Sequence, residues 1–407
     1  MDISLRFGPE LRRLREGAGM TLQQLADVTS CGRADLSKIE RGAVSPTMNL
    51  VQCCDAYFDA GGRLRWTFSA EVESAAKKSK PARRQVIATG VGSLLAARLA
   101  EGERADRVSD GELPPGALHQ DQLHRMKQLG QSLAPSAMLP VLRSQASTVI
   151  ALASRTTGPS RAGLLVTASR FAEYIGWVAQ EDGDEAGALN ATAEAVELAR
   201  AGGDEHLADY VLVRRALVSY YNGNAARTIA LAQQAQHSGA PPRIRGLAAQ
   251  REAQGHALAG DERACGRALD QARDLLAVEG STQDNLVLGT TQLVDPVSMV
   301  TGWCLYDLGR PRQAADVLER ECRRIAPHAL NTRTRYGLRH ALVLAASGEV
   351  ENSCETARDL LAFMSVMPSA TVRTDVCRLG CEWSRFRGSP AVRELRPALV
   401  NALNGAN

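Results

Sequence analysis

The chain has 407 residues, 44% of them apolar and 23% charged, with a formal net charge of +3. That length allows two or more domains with sizeable cores, and the composition is that of a globular chain rather than a disordered or fibrous one. A net charge this small does not identify a nucleic-acid binder, so the distribution of charge matters more than its sum.

Ala, Leu, Arg, Glu and Gln dominate long stretches and aromatics make up only 4%, which predicts an all-α fold. Residues 1–85 carry 14 basic and 10 acidic side chains. The excess lies in Lys77, Lys78, Lys80, Arg83 and Arg84, which read most simply as a solvated linker. Only five of the 48 basic residues are Lys, a bias that fits a GC-rich genome and carries no functional information.

In chain order, Phe7, Leu11 and Leu14 follow a helical stripe that "REGAG" breaks. Thr21 to Thr29 read as a second helix and Arg33 to Arg41 as a third. Ser45-Pro46 places a cap and a first-turn proline before a fourth helix running to about Tyr57. "DAGGRLRW" closes this unit at 59–66. "RRQVIATGVGSLLAARLA" (83–100) mimics a twin-arginine export signal, but it lies deep in the chain and Arg98 interrupts it, so an amphipathic or buried helix is expected. It is too short to span a bilayer. A polar hinge follows at 101–116, and helices resume at about 117–131 and 136–154.

Nine Cys is an odd number, no CxxC occurs and no secretory leader follows Met1. A reducing cytoplasm is therefore expected, with the cysteines serving as small buried apolar residues. The seven His match no metal-ligand pattern, and no P-loop or GxSxG is present. No cofactor, no metal and no enzymatic activity are expected.

From about residue 160 the chain repeats itself. Gly followed by a polar residue recurs at 183, 223, 260, 309, 348 and, more weakly, 388, with intervals of 40, 37, 49, 39 and 40. Seven residues before each Gly stand Gly176, Ala216, Ala253, Gly302, Ala341 and Cys381. Five residues after the first five stand Ala188, Thr228, Cys265, Ala314 and Ser353, all small, whereas Glu394, six after Gly388, breaks the pattern. Small residues at these places let paired helices approach closely. The spacing resembles the tetratricopeptide repeat over roughly 165–405, with 117–154 as a degenerate leading pair. That resemblance implies an α-solenoid of helical hairpins with a concave binding surface.

The opening residues resemble the Cro/C1-type (XRE-like) helix-turn-helix family. The matching residues are Leu11, Leu14-Arg15, Thr21, Leu25-Ala26, Leu36-Ser37, Ile39-Glu40, Gly42 and Pro46. Three positions depart from the family: Leu22 replaces a frequent Gln, Ser30 a turn Gly and Gly32 a polar cap. The resemblance implies an N-terminal helix-turn-helix bundle whose third helix enters the major groove. Arg33 and Lys38 would then donate to guanine, Ala34 would meet a thymine methyl, and Ser37 would share their face. Gln23, Gln24, Arg41 and Thr47 would contact phosphates. Glu40 is expected to pair with Arg15 inside the module, and Asp35 to pair locally or accept from cytosine.

These readings divide the chain into a helix-turn-helix domain (1–68), a basic linker with a connecting helix (69–116) and a tetratricopeptide-like sensor and dimerisation domain (117–407). The expected function is a sequence-specific, cytoplasmic transcription regulator. It would bind a palindromic double-stranded DNA operator as a homodimer and respond to a peptide, small-molecule or protein effector. No membrane partner is expected. Such an architecture resembles peptide-pheromone receptors and the multi-repeat regulators of GC-rich bacteria. The alternative is an interaction adaptor with a vestigial helix-turn-helix. Groove candidates lie on the first helix of each pair: Arg170, Glu173, Trp177, Tyr210, Tyr220, Gln250, Gln254, Trp303, Tyr306 and Arg335. Trp177 and Trp303 occupy equivalent places and serve either as ligand anchors or as packing between repeats.

Overall fold

The structure is a computed structural model that describes residues 7–29, 31–44, 46, 48–58, 60, 64, 67–68, 115–237, 239–277, 288–289 and 292–404. Ser30, Ser45, Thr47 and the stretch 83–100 lie outside them. All regular structure among the described residues is helical. The chain forms two compact units. Unit 1 joins residues 1–81 to 334–368 and 372–407, and unit 2 comprises 82–333 with 369–371.

Unit 1 begins with α1 (Phe7–Gly17), α2 (Leu22–Thr29), α3 (Arg33–Glu40) and α4 (Met48–Tyr57). Thr21 and Gln24 start α2 as a capping box. The Thr21 hydroxyl accepts from the Gln24 amide, while Gln24 Oε1 accepts from the Thr21 amide at 2.8 Å. Phe7, Leu11, Leu25, Leu36, Val51, Cys54 and Leu64 are fully buried, and Ile39 and Leu50 nearly so. Cys31, half-buried, packs against this core from its edge. Gly8 is where α1 meets the end of α3: a Cβ there would lie 2.4 Å from the Ile39 carbonyl oxygen. Buried Asp55 accepts the Leu64 amide at 2.9 Å and ties the end of the module to α4.

Unit 2 opens with α5 (Pro115–Leu129) and α6 (Pro135–Ser154). Four hairpins follow: α7 (Gly158–Asp182) with α8 (Glu185–Ala201), α9 (Leu207–Tyr221) with α10 (Ala225–His237), α11 (Pro242–Leu258) with α12 (Glu262–Ala277), and α13 (Pro296–Asp307) with α14 (Pro311–Arg323). Helix α15 (Leu330–Ser347) runs from unit 2 into unit 1, where α16 (Val350–Val366), α17 (Ala370–Trp383) and α18 (Pro390–Asn404) complete the chain.

The recurrent Gly is the device that makes each hairpin. Gly183, Gly223, Gly260, Gly309 and Gly348 all adopt φ between +69° and +93°, a region that disfavours side chains. In each, the amide of the next residue reaches back to the carbonyl five residues earlier, as from Asp184 to Ala179 and from Glu349 to Leu344, both at 2.9 Å. Asp184, Asn224 and Asp261 then cap the following helix through their side chains. The weak sixth position, Gly388, is not among the left-handed glycines, and a short 3-10 turn (Ser384–Phe386) stands before it. The long interval of 49 falls between hairpins, in the link from Ala277 to Pro296.

The small residues behave as their spacing predicts. A Cβ on Gly302 would lie 2.9 Å from Leu318, and one on Gly176 would lie 3.0 Å from Thr192. Ala216, Ala253, Thr228 and Ala314 are fully buried. Ser353 donates to the Ala341 carbonyl at 2.7 Å and accepts from the buried Trp383 indole at 2.9 Å. Glu394, the misfit, sits on the surface and pairs with Arg358.

Unit 2 also ties residues far apart in sequence. The side chain of Gln131 accepts from the Thr332 hydroxyl at 2.9 Å and its carbonyl from the Asn331 amide at 3.0 Å. Buried Glu181 accepts from the hydroxyls of Ser369 and Thr371. Tyr220 donates to Asp307 at 2.7 Å. Among the described residues no helix is long and apolar enough to cross a membrane.

Candidate nucleic-acid interface

Helix α3 has an inner and an outer side. Leu36, Ile39 and Glu40 point inward, spaced at three and four residues, so the remaining positions face away from the core. Arg33, Ala34, Asp35 and Lys38 are exposed and Ser37 is half-buried. The inner side is fastened by one ion pair. Arg15 donates from Nε and Nη2 to the two carboxylate oxygens of Glu40, at 2.6 and 2.8 Å, and from Nη1 to the Met20 carbonyl at 2.8 Å. Both side chains are at most 10% exposed. The hydrogen bonds to Glu40 push the Arg15 pKa above its already high value, so the guanidinium stays charged.

Gly32 occupies the N-cap of α3 with φ −58° and ψ 136°, and no side chain caps the helix there. The Asp35 amide turns back to the Gly32 carbonyl at 2.9 Å, and a helix start without a side-chain cap suits a phosphate oxygen. Lys38 donates to Asp35 at 3.0 Å on the outer face, both groups being about half-exposed. Exposed pairs of this kind contribute little, so Lys38 can exchange Asp35 for another acceptor. Arg41 turns its Nε back onto the Ser37 carbonyl at 3.1 Å. Gln23 and Gln24 are exposed, Gln24 already serving the cap. Thr47 lies outside the described residues.

Residues 6–66 match a family model described as a helix-turn-helix domain. The amino-terminal module is a helix-turn-helix DNA-binding domain. No curated protein and no solved structure matches the chain. Beyond the helix-turn-helix module the structure shows helical repeats, described above from their own geometry.

The groove candidates divide into three groups. Arg170, Glu173, Trp177, Tyr210, Gln250 and Gln254 belong to consecutive first helices of unit 2. Arg170 pairs with Asp204 at 2.8 Å, Tyr210 hydrogen-bonds to Glu173, and half-buried Trp177 stacks on Tyr174 with ring centres 5.7 Å apart. Gln254 accepts from Arg251 at 2.6 Å. The second group, Tyr220, Trp303 and Tyr306, is used for packing. Trp303 is 1% exposed and stacked on Tyr306 at 5.0 Å, while Tyr220 holds Asp307. Arg335 is half-buried and belongs to unit 1. The equivalent tryptophans thus differ: Trp177 keeps an open side and Trp303 has none.

Sequence reading missed Lys127, Arg214, Arg243 and Arg251, which share the interior of the first group. Arg214 donates to Gln180 at 2.9 Å, and Lys127 lies over the Tyr174 ring at 5.7 Å. Helical spacing was the available signal. Arg214 is one turn beyond Tyr210, and Arg243 is two turns before Gln250 on the same helical side.

The cysteines carry no disulfide among the described residues. Burial pushes the Cys377 and Cys322 thiols up to about 12. Cys265 moves the other way because the Cys304 thiol hydrogen-bonds to it. Among the described residues no group of three or more His, Cys, Asp or Glu side chains is placed to hold a metal ion.

Proposed function

We propose that the chain is a sequence-specific regulator of transcription, acting in the cytoplasm as a homodimer on a palindromic operator. The supporting observation is the outer face of α3, where Arg33, Ala34, Ser37 and Lys38 stand clear of a core closed behind them by Arg15 and Glu40. Arg33 and Lys38 suit guanine O6 and N7, and Ala34 suits a thymine methyl. Arg41, Gln23, Gln24 and Thr47 would hold the flanking phosphates. One such module is small for tight specific binding, and two modules on half-sites one helical turn apart answer that need.

We read the hairpins as tetratricopeptide-like and assign to residues 117–407 the sensing of an effector. Within unit 1 the reader touches the last repeats directly. Arg387 donates to the Tyr57 hydroxyl at 2.9 Å, at the end of α4, and its guanidinium lies over the Tyr57 ring at 5.9 Å. A change in the repeats therefore has a physical path to the module.

Sequencing genomic fragments retained by the purified protein tests the reading. Specific fragments with a steep salt dependence are expected. Arg33→Ala and Lys38→Ala should each cost about 1–3 kcal/mol of affinity and relax preference at one base position. Absence of DNA binding even at low salt would shift the function to an interaction adaptor.

A further inference from the structure

The interior of unit 2 holds buried N–H donors with no acceptor. Arg170 spends Nη2 on Asp204, while its Nε and Nη1 are buried and have no hydrogen-bond partner. Gln250, 2% exposed, keeps its Nε2 in the same condition. Native interiors pair the great majority of such groups, because an orphaned one is costly. These three atoms are donors, as are the Arg245 Nε and Trp303 Nε1 elsewhere in the unit, so what would satisfy the three is an acceptor.

The neighbouring charges favour the same occupant. Lys127 lies within electrostatic reach of Arg170 and Arg243, and burial together with these two cations lowers its pKa against the pull of Glu173. Arg251 is within reach of Tyr210, which is bonded to Glu173. Two nearby carboxylates are engaged, Glu173 by Tyr210 and Asp204 by Arg170, and Glu181 acts on Tyr174 from the same side of the cluster. Arg243 and Gln250 are seven residues apart on α11 and share one side of it, so the orphan amide continues the cationic row.

We propose that this interior binds a small molecule bearing a phosphate or carboxylate group. The anionic group meets Arg170 and Lys127, and a further acceptor oxygen meets Gln250. The inference rests on the reading of the repeats as a sensor and names the class of its ligand.

The test is calorimetry and thermal melting of the full chain with pyrophosphate and with succinate, against sodium chloride at equal ionic strength. Saturable binding of one probe, with a raised melting temperature, is expected. Pyrophosphate as the better probe identifies a phosphorylated ligand, and succinate a carboxylate. Arg170→Gln and Gln250→Leu should each weaken that binding about tenfold or more. Should Arg170→Gln fail to fold, Gln250→Leu carries the test, since it keeps the side-chain size and removes an unpaired donor. Binding no stronger than chloride, or folded variants that bind as the parent does, overturns the site. Operator affinity is measured in parallel. Anion binding that leaves operator affinity unchanged keeps the site and sinks the sensor reading. Operator binding without anion binding does the reverse.

Discussion

Arg15 shows how much one residue can decide in a small module. It closes α3 against α1 through two charge-assisted hydrogen bonds and also holds the chain at Met20. Removing it leaves the Glu40 carboxylate, 5% exposed, without its cation. Breaking a buried pair from one side costs about 3–5 kcal/mol, so Arg15→Ala should lower the denaturant midpoint by an amount matching that loss. The opposite sign is expected at Gly32. Its backbone angles suit any residue, and a Cβ would come no nearer than 3.4 Å to Asp35. A serine hydroxyl there can cap α3, and Gly32→Ser should raise stability by a few tenths of a kcal/mol in chemical denaturation. Both residues were visible in the sequence, one as a family pairing and one as a departure. The Lys38–Asp35 pair was half visible, since spacing alone leaves open whether Asp35 prefers a neighbour or a base.

At the scale of elements, glycine is used in two different ways. In the repeats it turns the chain, as at Gly260 with φ +76° and open space around it. At Gly8 the conformation is ordinary and the space is what matters. Gly8→Ala would drive a Cβ into the backbone at Ile39 and Glu40, and should destabilise the module by about 1–3 kcal/mol. Gly17, with nothing within 4 Å, is the control: Gly17→Ala should stabilise by roughly 0.5–1 kcal/mol. Paired melting curves of the two variants decide the point. The turns, helices and close-approach residues of the hairpins were legible because each follows from a local pattern. Gly8 was not, because the clash it avoids is with a helix thirty residues away. The same limit hid the cation cluster of unit 2. Its members lie on α5, α7, α9 and α11, and only the packing of those helices gathers them.

Across the whole molecule, the two units cut across the order of the chain, since the carboxy-terminal repeats group with the amino-terminal module. Linear reading places a reader first and a sensor after it. It has no means of foreseeing that Tyr57 meets Arg387, or that Gln131 meets Thr332. The second contact is testable by hydrogen exchange. Gln131→Ala removes the acceptor of the Thr332 hydroxyl and amide, and amides at the start of α15 should exchange faster than in the parent. Unchanged protection there would show that the contact adds nothing to local stability.

The bonds from Gln131 to Thr332 and from Glu181 to Thr371 span 201 and 190 residues of chain. A repeat array ordinarily folds through neighbours alone, so it can start anywhere and spread quickly. Contacts of such separation cannot form until the helices between them are in place, because the closing entropy must be met first. Folding of unit 2 is therefore expected to end in a slow step that an open array lacks. During synthesis, residue 131 must wait for two hundred more to emerge before it meets its partner.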